Sequence, residues 1–85
     1  LVNLGLNIKG VKIAALIAES DEFLRVSLRS KGEISVNALS KAYFNGGGHE
    51  RASGGRLFFP IDEAEGYFCN ALMQYLAEHP YEEII

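Results

Sequence analysis

Apolar and polar positions change rhythm several times along the chain, and each change marks an element. Lys9 to Ala18 (KGVKIAALIA) is nearly continuous in β-branched and aliphatic residues and short for a helix, so it reads as a strand buried on both faces. Glu19-Ser20-Asp21-Glu22 forms a polar turn. Phe23 to Arg29 then alternates strictly, with Leu24, Val26 and Leu28 on one side and Arg25, Ser27 and Arg29 on the other. The pair predicts an antiparallel hairpin whose outer face carries two guanidiniums and a hydroxyl in one row.

Ser30-Lys31-Gly32 breaks this strand, and the period lengthens beyond it. Ser35 is placed to N-cap a helix over Val36 to Phe44 that buries Val36, Leu39, Ala42 and Tyr43. Asn45-Gly46 closes that helix, which gives Gly46 a C-capping role. Arg56 to Phe59 reads as a short strand stopped by Pro60. Asp62 and Glu65 then stand in capping-box-like spacing before a long helix through Ala77, with Ala64, Phe68, Ala71, Leu72, Tyr75 and Leu76 on one face. The order β-β-α-β-α predicts an α+β domain over residues 9–79, two helices covering one face of a small mixed or antiparallel sheet and the Arg row lying on the other. Residues 1–8 are expected to be a linker from a catalytic domain and residues 80–85 a tail.

Charge sharpens this picture. The formal net charge is −3, but it is unevenly spread. Residues 1–56 hold all 8 Lys and Arg against five acids, while residues 57–85 hold six acids and no Lys or Arg. An anion would therefore be drawn to the first part of the chain. Its 48% hydrophobic content is enough for one modest core. The single Cys69 forms no internal disulfide and reads as core filler, as suits a reducing, cytoplasmic setting. The longest apolar run, Ile13 to Ala18, is far short of the ~20 residues that span a bilayer, so a soluble protein is expected. A first residue of Leu1 and a sole methionine at Met73 point to a fragment or processed product.

The segment richest in chemistry is Gly46-Gly47-Gly48-His49-Glu50-Arg51-Ala52-Ser53-Gly54-Gly55. A flexible linker would scatter its glycines, whereas here they bracket His49 and Arg51, two groups that hold anions. Bare backbone brings successive N–H groups close to a ligand, as in an anion-binding nest. Arg29 is the strongest single candidate, because its planar fork matches two phosphate oxygens. Ser27 shares its face. An isolated surface Arg more often pairs with a nearby Glu, worth roughly 0–1 kcal/mol, and a lone His is more often structural; the glycines beside His49 and Ser27 beside Arg29 favour ligand binding. Ser53 is either a hydroxyl donor to the ligand or a small residue that lets two backbones approach. Arg25, Lys9, Lys12 and Lys41 read as solvated, and Arg51 and Arg56 as solvated or as adding positive field.

No catalytic centre is apparent. The two histidines lie thirty positions apart beside one cysteine, too few for a converging metal site. Asp62, Glu63 and Glu65 read as charges favoured by a helix start, and no serine has an evident base and orienting acid.

Ser27-Leu28-Arg29-Ser30 on a strand, followed after a short helix by Gly-Gly-Gly-His-x-x-Ala-Ser-Gly-Gly at 46–55, resembles the C-terminal DHH-associated domain of DHH-family phosphoesterases, in particular the oligoribonuclease and phosphoadenosine-phosphate phosphatase group. The resemblance covers Lys9 to Ala77. It implies a two-domain enzyme in which an N-terminal DHH domain holds two manganese ions and performs the hydrolysis, while the present domain binds nucleotide or short single-stranded RNA and closes over the metals. Arg29 and His49 would hold phosphate, Gly46, Gly47 and Gly48 would lie against the nucleotide, and Ser27 and Ser53 would support the site. Glu50 stands where relatives often carry a basic residue. On this reading the domain alone has no catalytic residue, no metal and no bound cofactor. Two other readings stay open: a nucleic-acid-binding module like those of RecJ-type exonucleases and alanyl-tRNA synthetase, and a loop serving as a lid or oligomer contact, with a homodimer formed through the tail.

Overall fold

In the computed structural model, which describes residues 1–8, 11–31 and 34–79, five strands form one sheet in the order β1-β2-β3-β5-β4, every pair antiparallel. The strands are β1 (Val2–Ile8), β2 (Val11–Glu19), β3 (Leu24–Lys31), β4 (Gly47–Gly48) and β5 (Ala52–Leu57). Helix α1 (Val36–Tyr43) joins β3 to β4, and a 3-10 turn (Ile61–Glu63) leads into α2 (Ala64–Glu78). The fold is α+β, and its sheet is antiparallel. The expected tail at 80–85 lies outside the described residues.

Period-two patterning decides which face is covered. Leu24, Val26 and Leu28 of β3 and Ile13, Ala15 and Ile17 of β2 point into one core with Val36 and Leu39 of α1 and Phe68, Leu72 and Tyr75 of α2. The six α2 positions expected to be inward (Ala64, Phe68, Ala71, Leu72, Tyr75, Leu76) are the ones buried. Both helices therefore sit on one face of the sheet, and Arg25, Ser27, Arg29 and Lys31 line the other. The helices are tied to each other at their ends. The Tyr43 hydroxyl donates to Glu78 Oε1 at 2.7 Å, and the Tyr67 hydroxyl donates to the Tyr43 carbonyl at 2.6 Å. Their pairing raises the Tyr43 pKa, chiefly through that hydrogen bond, and lowers that of Glu78 for the same reason.

Several expectations are corrected. Residues 2–8, expected to be a linker, are strand β1, paired along β2 from Val2↔Ile17 to Ile8↔Val11. Val2, Leu4 and Leu6 are half-buried against the core, which gives the segment a hydrophobic reason to join the sheet. β2 is buried on one face only, because no element among the described residues covers the other; Lys12, Ala14 and Leu16 are exposed there. The last strand starts at Ala52 rather than Arg56 and runs through Ser53-Gly54-Gly55, six ladder pairs with β3 offsetting the low strand preference of glycine. Neither Asp62 nor Glu65 caps α2; Glu63 is its N-cap and makes no side-chain capping bond. Among the described residues no helix is long and apolar enough to cross a membrane.

Candidate phosphate-binding face

The ten-residue glycine segment is a hydrogen-bonded ribbon. β4 pairs with β5 through Gly47↔Gly54 and Gly48↔Ser53, and the His49 N–H donates to the Ala52 carbonyl at 2.7 Å to close the turn between them. Helix α1 anchors this ribbon with side chains aimed at backbone. The fully buried Ser40 hydroxyl donates to the Gly54 carbonyl at 2.5 Å, and Asn37 Oδ1 accepts from the Gly48 N–H at 2.9 Å. Ser53 points to the inner face, where its hydroxyl donates to the Val36 carbonyl at 2.7 Å. It supports the ribbon from beneath.

The glycines divide by what they do. Asn45, not Gly46, takes the left-handed conformation that ends α1, with φ 55°. Gly46 is required by close approach: a Cβ there would lie 2.7 Å from the Gly55 Cα and nearer still to the Gly54 carbonyl oxygen. Gly55 is confined in the same way against Phe44. Gly54 differs. A Cβ on it would meet only the Val26 carbonyl oxygen, at an ordinary 3.5 Å. Its bareness has no use in packing and leaves the outer face open opposite Ser27, its partner in β3.

One cross-strand row runs through the candidate residues. Arg29 is paired with Ala14 on β2 and Ala52 on β5; Ala14 is paired with Gly5 on β1, and Ala52 is bonded to His49 across the hairpin turn. Arg29 and His49 therefore stand two strand spacings apart, roughly 10 Å, with only alanine between them. Both are exposed. One Arg29 nitrogen donates to the Leu28 carbonyl at 3.0 Å, and among the described residues Arg29 makes no ion pair. Its exposed side chain shares a hollow with Gly5 and Ala14.

Arg29 also lines a hollow of about 570 Å³ with Gly5, Lys12, Ala14, Lys31 and Arg51. Leu6, Asn7, Ile13 and Ser30 complete its lining, and Lys12, Arg29 and Lys31 bring positive charge to it, which favours an anion there. His49 and the glycines lie outside that hollow, on its β5 side. Arg51 is partly committed, donating to the Ile34 carbonyl at 2.9 Å, so it braces the β3–α1 connection as well as adding charge. Lys12 and Lys31 were not expected in the site. Lys31 continues the Arg25, Ser27, Arg29 alternation by one step, a signal present in the sequence. Asn37 and Ser40 left no such signal, because their partners are main-chain atoms brought in by the tertiary fold. Among the described residues no three His, Cys, Asp or Glu side chains converge as metal ligands.

The DHHA1 domain profile matches residues 1–78, and the chain belongs to the DHHA1 domain family. It is 42% identical over 59 residues to the bifunctional oligoribonuclease and PAP phosphatase NrnA of Bacillus subtilis, a match covering 69% of this chain and 18% of that protein. It also superposes on the crystal structure of an exopolyphosphatase-related protein from Bacteroides fragilis with a TM-score of 0.68 at 40% identity, covering 74% of this chain and 18% of that one. The chain thus spans under a fifth of the length of each of these relatives. The match begins at residue 1, so β1 is included in the family unit.

Proposed function

We propose that this DHHA1 domain is the substrate-recognition part of a DHH-family phosphoesterase that hydrolyses short oligoribonucleotides or nucleotide phosphates. Arg29 and His49 take the substrate phosphate, Lys12, Lys31 and Arg51 concentrate anions beside it, and Gly47, Gly48 and Gly54 let the ligand lie against bare backbone. Ser27 offers a hydroxyl on the same face, and Ser53 holds the ribbon from within. The observation that carries this reading is an exposed Arg29 that has no acidic partner among the described residues, seated on a row of glycine and alanine that ends in His49.

The reaction itself is assigned to an N-terminal DHH domain of the same protein. Among the described residues no three His, Cys, Asp or Glu side chains come together as metal ligands. This domain binds, orients and neutralises. A charge-assisted hydrogen bond contributes about 1.5–3 kcal/mol, so Arg29→Ala is expected to weaken binding of a short oligoribonucleotide by roughly 10- to 150-fold. His49→Ala should weaken it as well, and both variants should keep the wild-type circular dichroism spectrum. Unchanged affinity in both would refute the assignment.

A further inference from the structure

Past the phosphate row, the same face ends in an aromatic corner that the binding of phosphate does not use. Phe58, just beyond β5, is 66% exposed, while its neighbour Phe59 packs inward with its ring centroid 5.1 Å from that of Tyr67. Packing therefore accounts for one phenylalanine and leaves the other in water. Phe58 does not stand alone. The Arg56 guanidinium is held 4.8 Å over the Phe23 ring, and the Phe23 and Phe58 centroids are 6.4 Å apart. The Arg56 main chain is fixed on both sides, its N–H donating to the Phe44 carbonyl at 2.7 Å and its carbonyl accepting from Asn45 Nδ2 at 2.9 Å. Beside these groups lies a hollow of about 400 Å³ that Phe58 and Arg56 line together with Gly46, Gly47, Gly54 and Gly55. Asn45 completes the lining; a floor made mostly of glycine, an exposed ring at its side and a guanidinium already positioned by a ring are what a planar heterocycle needs.

We propose that Phe58, Arg56 and the four-glycine floor form a nucleobase-stacking subsite. The proposal rests on the phosphate-binding reading of Arg29 and names the substrate class more narrowly. The Arg25–Arg56 row lies four residues along β3 from the Arg29–Ala52 row, roughly 14 Å at strand rise. That separation exceeds the reach of a base from its own phosphate. The base on the platform belongs to a neighbouring nucleotide, and the path between the two crosses Ser27 and bare Gly54. The preferred ligand is accordingly a chain of at least two nucleotides, with an inorganic phosphate chain unable to use the platform.

Fluorescence anisotropy on the 85-residue chain tests this with two labelled probes, a triribonucleotide of adenosine and the same sugar-phosphate backbone lacking all bases. Wild type should bind the intact probe more tightly. Phe58→Ala should weaken the intact probe by about 5- to 150-fold, as loss of one stacked base does, and leave the abasic probe unchanged. Phe58→Trp should restore intact-probe affinity. Arg29→Ala should weaken both probes, so a failure of the phosphate row and a failure of the platform give different results. The subsite is overturned if Phe58→Ala weakens both probes equally or neither, or if wild type does not prefer the intact probe.

Discussion

Alanine at Gly54 and alanine at Gly55 are adjacent, chemically identical substitutions for which the structure predicts opposite results. At Gly55 the new methyl would lie 2.8 Å from the Phe44 Cβ and closer to the Phe44 carbonyl oxygen. The carbonyl cannot swing aside, because it accepts the Arg56 N–H at 2.7 Å. Overpacking costs about 1–3 kcal/mol and sometimes more, and immovable backbone places this site near the upper figure. For a domain of this size each kcal/mol lowers Tm by roughly 4–8 °C, so Gly55→Ala should melt about 12–24 °C below wild type. At Gly54 the methyl meets only one atom, at 3.5 Å, and the residue is not in the positive-φ region. Losing glycine's freedom in the unfolded chain is then worth about 0.4–1 kcal/mol in favour of folding, and Tm should stay level or rise by a few degrees. The same methyl projects onto the outer face beside Ser27, where a bound ligand must pass. Oligonucleotide affinity should fall about tenfold or more, given the same overpacking figure applied to the complex. Thermal melting followed by circular dichroism, with anisotropy titration of the same samples, reads both effects. Gly54→Ala that melts as low as Gly55→Ala, or that binds as wild type does, would refute the claim that this glycine is kept bare for a ligand.

Other consequences can be checked on the same preparation. Ser40→Ala removes a buried hydroxyl from the Gly54 carbonyl and should cost about 1–3 kcal/mol, read as a Tm loss of roughly 4–24 °C; a change below 2 °C would show that α1 does not clamp the ribbon. The Tyr43–Glu78 contact gives a pH signature. The lowered carboxyl pKa of Glu78 stabilises the fold above the ordinary carboxylate value of 4.5, and this is lost as pH falls through the lowered value. The raised Tyr43 pKa holds its contribution below pH 10.0 and loses it as pH rises further. The Tm difference between wild type and Tyr43→Phe should therefore be present at neutral pH and close at both extremes, and a difference independent of pH would contradict the pairing. Binding of a short single strand should weaken linearly in log salt with a slope near −0.7 per phosphate engaged; Lys12→Ala should make that slope shallower, and an unaltered slope would remove Lys12 from the site.

What the sequence made legible depended on how locally each feature was determined. The Leu24-Val26-Leu28 alternation announced β3 and its two faces because strand periodicity needs no tertiary information. The six buried positions of α2 were equally plain, since a helix stripe follows from spacing alone. β1 carried the same signal in Val2, Leu4 and Leu6, but Asn3, Gly5 and Asn7 are poor strand formers, and the segment gains its stability only from pairing with β2. β2 reads as apolar on both sides because Ala14 and Leu16 occupy the outer face, where small and apolar residues surround Arg29 rather than a second core. The glycine segment misled in another way. Its composition signals a loop, whereas Gly46, Gly48 and Gly55 permit backbone approaches between β5, β4 and the end of α1 that a side chain would block. Arg29 and Ser27 were found on the expected face, and register with Ala52 brought His49 into the row; the inward turn of Ser53 followed from strand alternation once β5 was known to begin at Ala52.

The central claim, that the uncovered sheet face around Arg29 is where a nucleotide phosphate chain binds, is tested most directly by amide chemical-shift mapping of the 15N-labelled chain titrated with a short 5′-phosphorylated oligoribonucleotide. The account predicts the largest shifts at Ser27, Arg29, His49, Ala52 and Gly54, with the exposed side of α2 around Met73 and Gln74 silent. Shifts concentrated on α2, or absent from the Arg29–Ala52–His49 row at saturation, would contradict it.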